Sequence, residues 1–242
     1  MLDALRAQVW EANLTLQRTG LARLTWGNVS GIDRDRGLVV IKPSGVPYEA
    51  LRPESLVVTD LSGRVIEGTR RPSSDTPTHL VLYRTFEKIG GIAHSHSRHA
   101  TAFAQAGREI PCLGTTHADH FHGAVPVTRP ISRAETEGAY EEGTGRAMVE
   151  RLAGLDPIEM PAVLVAHHGP FTWGGDAAEA VKNSIALELV AEMAMLTLAL
   201  HPDATAIPAH LLEKHFLRKH GPGAYYGQAS PSVTPGPTAG KD

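Results

Sequence analysis

Apolar residues recur at helical spacing in several segments of the chain. Leu5, Val9, Ala12 and Leu16 lie three or four residues apart, and Gly20 follows where a helix end is expected, so an amphipathic helix is predicted near the start. Asp176, with Glu179 three residues later, predicts the start of the longest helix. Further helices are predicted in the segments THLVLYRTFEK, ETEGAYEEGTGRAMVERL and 208–220.

Short runs rich in β-branched residues predict strands between these helices. The runs LVVI at 38–41, LVVT at 56–59 and Val65–Ile66 are separated by the turn clusters KPSGVP and DLSGR, which is typical of hairpins. Ile92–His96 follows the Gly90–Gly91 pair, and AVLVA occupies 162–166, so both are predicted to be buried strands. We expect one α/β domain over residues 1–228 and a disordered tail rich in proline and glycine over 229–242.

Composition narrows the class of protein. The chain has 242 residues, 42% of them hydrophobic and 20% charged, with a formal charge of -3, which favours a packed core over disorder or a broad nucleic-acid surface. No stretch reaches the roughly 20 apolar residues of a membrane span, and the start lacks the features of a secretory signal. Cys112 is the single cysteine, so we expect a reducing, cytoplasmic location and any metal site built from histidine or carboxylate.

Thirteen histidines are the strongest chemical signal. His94 and His96 are two apart on a predicted strand, so their imidazoles should project from one face. His168 follows the AVLVA strand and could bring a third imidazole to the same point. Three histidines leave one coordination position open, as in catalytic zinc sites. Asp75 is a candidate fourth ligand, or a partner that holds one of these histidines in place.

A purely structural interpretation competes with the metal site. His94 and His96 could be half-buried strand residues bonded to backbone, with His168 in a surface turn. That interpretation is the expected one for four other histidines: His79, His99, His201 and His210. The cluster HADHFHG at 117–123 puts no pair of histidines on one face of a helix or strand, so we expect a loop at the border of the site.

Five motifs agree in order with one known family. They are PSSDTPTHLVLYRTF, IAHSHSRHATAFAQAG, LGTTHADHFHG, VLVAHHGPFTWG and LLEKHFLRKHGPGAYYGQ. Through them the chain, over about residues 1–228, resembles the L-ribulose-5-phosphate 4-epimerases of the class II aldolase/adducin family. The resemblance implies α/β/α layers around a central, largely antiparallel sheet, a homotetramer, and one divalent metal per subunit, normally zinc.

The resemblance also implies roles for particular residues. It places the metal at Asp75, His94, His96 and His168, and the acid/base pair at Asp119 and Tyr226. The residues matching the phosphate pocket are Gly27, Asn28, Ser44, Gly45, Ser73 and Ser74, and His215 matches a position near the cleft. Lys42, beside Ser44, could add a positive charge to that pocket.

Two features depart from the family pattern. His120 and His122 stand where aromatic residues are expected in the HAD segment, which affects the lining on the substrate side. The proline-rich tail beyond Gln228 is extra, and it begins close to Tyr226, whose placement it could perturb.

The reaction that the resemblance implies inverts C4 of a ketose phosphate, interconverting L-ribulose 5-phosphate and D-xylulose 5-phosphate in L-arabinose catabolism. The C4 proton is not acidic, so simple deprotonation cannot work. Transient oxidation would need a nicotinamide, and no G-x-G-x-x-G joins a strand to a helix here; GTGRAM lacks the third glycine. The other route is metal-assisted cleavage and re-formation of the C3–C4 bond, and it is the one that the resemblance implies; neither NAD nor PLP is expected.

Three alternatives remain open. An aldolase of the fuculose-phosphate type would release both products, but the resemblance assigns such aldolases glutamate at the position of Asp75. A metal-dependent hydrolase could also use three histidines, although the order of elements argues against a βα barrel. An adducin-like interaction module would have no need for convergent histidines.

Overall fold

The computed structural model describes residues 2–226 of the chain. The helices are α1 Asp3–Arg18, α2 Thr76–Thr85, α3 Arg98–Gln105, α4 Thr115–Ala118, α5 Arg133–Glu137, α6 Tyr140–Arg151, α7 Ala177–Leu200 and α8 Ala209–His220. The strands are β1 Asn28–Asp33, β2 Leu38–Ile41, β3 Val57–Asp60, β4 Val65–Glu67, β5 Gly91–His94, β6 Ala162–Val165 and β7 Gly169–Gly174.

These strands form one sheet in the order β4-β3-β2-β1-β5-β7-β6, and each pair of neighbours is antiparallel. The β-branched runs that predicted hairpins form β2, β3 and β4. After each predicted turn cluster the chain returns antiparallel to the preceding strand. The prediction of α/β layers around an antiparallel sheet is therefore confirmed.

Side chains that alternate along the strands divide the interior into two cores. Val29, Val40 and Ala93 face a core made with α1 and the first turns of α7. Ile32 and Ile92 point to the opposite face, where they pack with residues of α2, α6 and the later part of α7. The sheet is thus covered by helices on both faces, and α2 lies on the same face as the side chain of His94.

Three predicted elements differ from the structure. Strand β7 was not predicted, because its sequence GPFTWG reads as a turn, yet it lies between β5 and β6 in the sheet. The helix predicted over ETEGAYEEGTGRAMVERL is broken into α5 and α6 at Gly138, whose backbone is not helical. The strand predicted to reach His96 ends at His94. The predicted tail at 229–242 lies outside the described residues.

Helix α7 is long and apolar enough, by length and composition, to cross a membrane, although the sequence pattern did not suggest such a segment. In this fold it packs against β7, β5, α1 and α3. Its N-terminus is capped as predicted, since the Asp176 side chain accepts a hydrogen bond from the Glu179 backbone at 2.8 Å. We therefore interpret α7 as the central helix of this fold.

Candidate metal centre

The sheet register places His94 at the centre of the candidate site. His94 ends β5, where it lies opposite Asn28 of β1 and Phe171 of β7. The Phe171 ring stacks on the His94 imidazole with ring centroids 4.1 Å apart. The carbonyl of Pro170 accepts a hydrogen bond from His94 Nδ1 at 3.0 Å, a contact that fixes the ring and leaves Nε2 as its metal-binding atom.

His96 and His168 reach the same point from different elements. His96 lies two residues beyond the end of β5, and its Nε2 is 3.1 Å from Nε2 of His94. His168 lies in the turn that joins β6 to β7, next to His167, whose φ of 61° is in the left-handed region. One ligand atom from each of the three histidines lies within 4.8 Å of the others. The predicted convergence of the three imidazoles is present.

The donor atoms suit a divalent cation. Zinc–nitrogen bonds of about 2.0–2.1 Å in tetrahedral geometry separate two donors by about 3.3 Å, close to the spacing of the His94 and His96 nitrogens. Burial lowers the pKa of His94 to about 3 and also lowers the pKa values of His96 and His168. At neutral pH all three imidazoles are therefore uncharged, which is the form that binds metals.

Asp75 lies at the N-cap position of α2, but its side chain does not cap the helix. Instead, a carboxylate oxygen accepts a hydrogen bond from Asn28 Nδ2 at 2.6 Å. Burial alone would raise the pKa of Asp75, but the nearby imidazoles of His94 and His79 and the bond from Asn28 hold it below its ordinary value. An ionised carboxylate thus lies beside the three histidines, as a fourth ligand or outer partner requires.

A cavity of about 320 Å³ opens onto the histidines. The residues around it include every predicted ligand of the metal and nearly every predicted substrate contact: Gly27, Asn28, Lys42, Ser44, Gly45, Ser73, Ser74, Asp75, His94, His96 and His168. The Lys42 ammonium, 2% exposed, donates to the Thr25 carbonyl at 3.2 Å, and burial lowers its pKa to about 8. The cavity therefore joins a cation and serine hydroxyls to the metal-binding end.

The loop before β1 is held tightly against the site. Gly27 has a φ of +75°, and a Cβ at this position would lie 2.8 Å from the His94 carbonyl oxygen, so a larger residue cannot fit without movement. The Tyr48 hydroxyl bonds to the carbonyl oxygens of Trp26 and Gly27 at 2.9 and 3.0 Å. Trp26, whose ring centroid is 6.0 Å from that of His96, was not among the predicted site residues. Its place directly before Gly27 and Asn28 was the available signal.

Asp119, Tyr226 and His215 do not line this cavity. Asp119 follows α4, where its carboxylate accepts two bonds from Arg218, at 3.0 and 2.6 Å, and one from His215 at 3.1 Å. Burial would raise the pKa of Asp119, but these bonds and Lys219 lower it below its ordinary value. The exposed Tyr226 ring lies over Lys219 and Arg218, so the predicted acid and base share one cluster at the end of α8.

The three histidines of the HADHFHG segment also lie outside the cavity. His117 is buried and its Nε2 bonds to the Gly123 carbonyl at 2.7 Å. His120 lines a separate apolar groove of about 730 Å³ between α1 and α7. His122 contacts carboxylates on both sides, with Glu213 at 2.9 Å and Glu159 at 3.3 Å. Within one chain, this segment does not border the metal centre.

Comparisons with known proteins identify the family of the chain. Residues 7–195 match the family described as the Class II Aldolase and Adducin N-terminal domain, and the chain belongs to that family. An L-fuculose 1-phosphate aldolase is 27% identical, with a TM-score of 0.74 over 88% of this chain and 94% of that one.

Two further solved structures are similar over most of their length. The YgbL protein of Klebsiella pneumoniae, described as a putative aldolase/epimerase/decarboxylase, is 26% identical, with a TM-score of 0.67 over 87% of this chain and 97% of that one. The l-fuculose-1-phosphate aldolase of Thermus thermophilus is 25% identical, with a TM-score of 0.66 over 84% of this chain and 99% of that one.

Proposed function

We propose that the protein is a metal-dependent 4-epimerase that interconverts L-ribulose 5-phosphate and D-xylulose 5-phosphate in the cytoplasm. The observation that carries this proposal is the single cavity in which three neutral imidazoles and the Asp75 carboxylate lie beside Lys42 and several serines. A sugar phosphate would place its sugar oxygens at the metal-binding end of such a cavity and its phosphate at the end that holds Lys42 and the serines. The bound cation, which we propose to be zinc, supplies a Lewis acid for a substrate oxygen when it is present.

The phosphate end depends on Lys42 and the two loops beside it. Residues 42–44 and 71–73 are joined by backbone bonds from Ser44 N to Arg71 O and from Ser73 N to Lys42 O, each 3.0 Å long. This pairing brings the Ser44–Gly45 turn and Ser73–Ser74 to one side of the cavity. Their hydroxyls and amides, with the Lys42 charge, can hold the phosphate of the two-carbon fragment while the C3–C4 bond is broken.

Inversion requires one group that takes the proton of the C4 hydroxyl and another that returns a proton on the opposite face. We assign Asp119 and Tyr226 to these roles. Since neither lines the metal cavity of its own chain, we propose that they serve the cavity of a neighbouring copy in a homotetramer. Exposed apolar residues on α7, which are suited to contact between copies, support this assembly: Leu189, Met193, Leu196 and Leu200.

The second candidate is an aldolase of the fuculose-phosphate type, favoured by the solved structures at 25–27% identity that carry that name. Asp75 favours the epimerase. Its carboxylate is fixed by Asn28 at 2.6 Å and lies beside the three histidines in the same cavity, which suits a metal ligand.

The test is incubation of Zn²⁺-loaded protein with L-ribulose 5-phosphate and, separately, with L-fuculose 1-phosphate. We expect D-xylulose 5-phosphate as the main product, with little free glycolaldehyde phosphate. His96→Ala should abolish turnover, and His201→Ala, at an exposed position outside the cavity, should retain it. Release of an aldehyde as the main product, or cleavage of fuculose 1-phosphate alone, would contradict the epimerase assignment.

A further inference from the structure

Polar side chains line the contact between β1 and α2, on a sheet face that is otherwise largely apolar. Asn28 and Ser30 are two apart on β1, while Asp75, His79 and Tyr83 are four apart along one side of α2, so each set faces the other. Asn28 bonds to Asp75 at 2.6 Å, and Ser30 Oγ bonds to His79 Nδ1 at 2.7 Å and to Tyr83 Oη at 2.8 Å. We name these five residues the β1–α2 polar seam.

The spacing of the seam matches along both elements. Two residues of a strand advance about 6.7 Å, and four residues of a helix advance about 6 Å. Asn28 therefore lies beside Asp75 and Ser30 lies close to His79, and the hydroxyl of Tyr83, one turn further along α2, also reaches Ser30. Contacts between apolar groups are non-directional, whereas hydrogen bonds are directional. The seam thus determines how far along β1 the helix is placed.

The buried members of the seam are not explained by packing alone. Ser30, His79 and Tyr83 are 0% exposed, and His79 Nε2 has no hydrogen-bond partner among the described residues. A buried nitrogen without a partner disfavours folding, so an apolar residue would serve packing better. The edge of the His79 ring faces Phe171, at 6.0 Å between centroids, and Phe171 stacks on His94. His79 therefore connects the helix that carries Asp75 to the wall behind His94.

We propose that the β1–α2 polar seam positions the metal centre: Ser30, His79 and Tyr83 hold α2 where Asp75 faces the three histidines. This inference rests on the proposed metal site. The three residues do not line the cavity, so they are positioning residues whose effect passes through Asp75. Removal of one hydroxyl should then weaken cation binding at a distance, in addition to any loss of stability.

The test is titration of the full-length protein with Co²⁺, followed by its absorption spectrum and its dissociation constant. Ser30→Ala should weaken Co²⁺ binding about 10-fold, the lower end of the range for loss of a direct partner of a ligand, because Ser30 acts on Asp75 only through α2. Tyr83→Phe should weaken binding less, because Ser30 keeps its hydrogen bond to His79. In an Asp75→Asn background, Ser30→Ala should change the dissociation constant by less than about threefold, since the two act on one ligand. Leu82→Ala, at a buried position of α2 outside the seam, should lower Tm but leave Co²⁺ binding unchanged.

The outcomes distinguish a positioning role of the seam from a purely structural role and from failure of the metal site itself. Unchanged Co²⁺ binding by a folded Ser30→Ala variant overturns the positioning role, as does an equal effect with and without Asp75. If Ser30→Ala does not fold, the same comparison is made with Tyr83→Phe, which keeps the ring. Failure of the wild-type protein to bind Co²⁺ overturns the metal site of the proposed function and the seam's role with it.

Discussion

The carboxylate of Asp119 lies among basic side chains of α8. Its oxygens bind Arg218 and His215, and its pKa lies below the ordinary value. A carboxylate with a lowered pKa is ionised at neutral pH and is therefore able to accept a proton. The lowered pKa fits a base that must be ionised when the substrate binds, and under the proposed function Asp119 would serve the cavity of a neighbouring copy of the chain.

We expect Asp119→Asn and Tyr226→Phe each to lower turnover about 10²- to 10⁴-fold, because a positioned acid or base contributes that much. Binding of the divalent cation should be unchanged in both, since neither residue lies at the metal-binding histidines. Steady-state kinetics and a metal titration measure the two effects separately. Wild-type rates in both variants would remove Asp119 and Tyr226 from the mechanism.

Mixed oligomers can show whether copies share a site. Asp119→Asn lacks the proposed base and His96→Ala lacks a metal ligand, so co-expressed subunits should regain activity well above that of either variant alone. The regained activity would come from interfaces where an intact Asp119 meets an intact histidine set. Absence of regained activity, with mixed oligomers present, would place the whole site within one chain.

At the scale of single elements, β5 and the start of α7 approach each other unusually closely. A Cβ on Gly91 would meet the backbone of Asp176, which caps α7. Gly91→Ala should therefore destabilise the protein by about 1–3 kcal/mol or more, as overpacking does. Gly223→Ala is the matched control, because Gly223 is exposed beyond the end of α8, and its Cβ would have no heavy atom within 4 Å and should change stability little. Urea unfolding measures both, and equal stability of the two variants would contradict this account.

The predicted elements were correct where local pattern decides structure. The cap at Asp176, the apolar spacing of α1 and the β-branched runs of β2 and β3 each depend on neighbours within a few residues. The sequence pattern did not predict β7. This strand lies between β5 and β6, and pairing with these neighbours stabilises it more than the β-propensity of its own residues does. The pattern also failed at His96, which lies past the last strand pair yet still aims its imidazole at His94.

For the whole molecule, buried histidines predict a dependence of stability on pH. Burial lowers the pKa values of His79 and His117 to about 4, against an ordinary value of about 6.5. Between these values the unfolded chain binds more protons than the folded one, so the free energy of unfolding should fall as pH falls from about 6.5 to 4. Each histidine should contribute about 1.4 kcal/mol per pH unit in that range.

Urea midpoints between pH 7.5 and 4.5, measured with a chelator so that metal release does not contribute, test this expectation. His117→Leu should flatten the dependence by removing one of the buried histidines that contribute to it, whatever its effect on stability at pH 7.5. A wild-type free energy of unfolding that stays constant from pH 6.5 to 4.5 would show that these histidines are not held neutral by the fold.

The amino-acid sequence by itself determined most of the helices and hairpins and identified His94, His96, His168 and Asp75 as one candidate set. These inferences follow from periodicity and from short motifs, whose physical causes are local. Only the tertiary structure decided that the β6–β7 hairpin brings His168 to His94, that Asn28 fixes Asp75, and that Asp119 lies elsewhere. Strand register and helix placement join residues far apart in sequence, and packing and directional hydrogen bonds between those elements determine them.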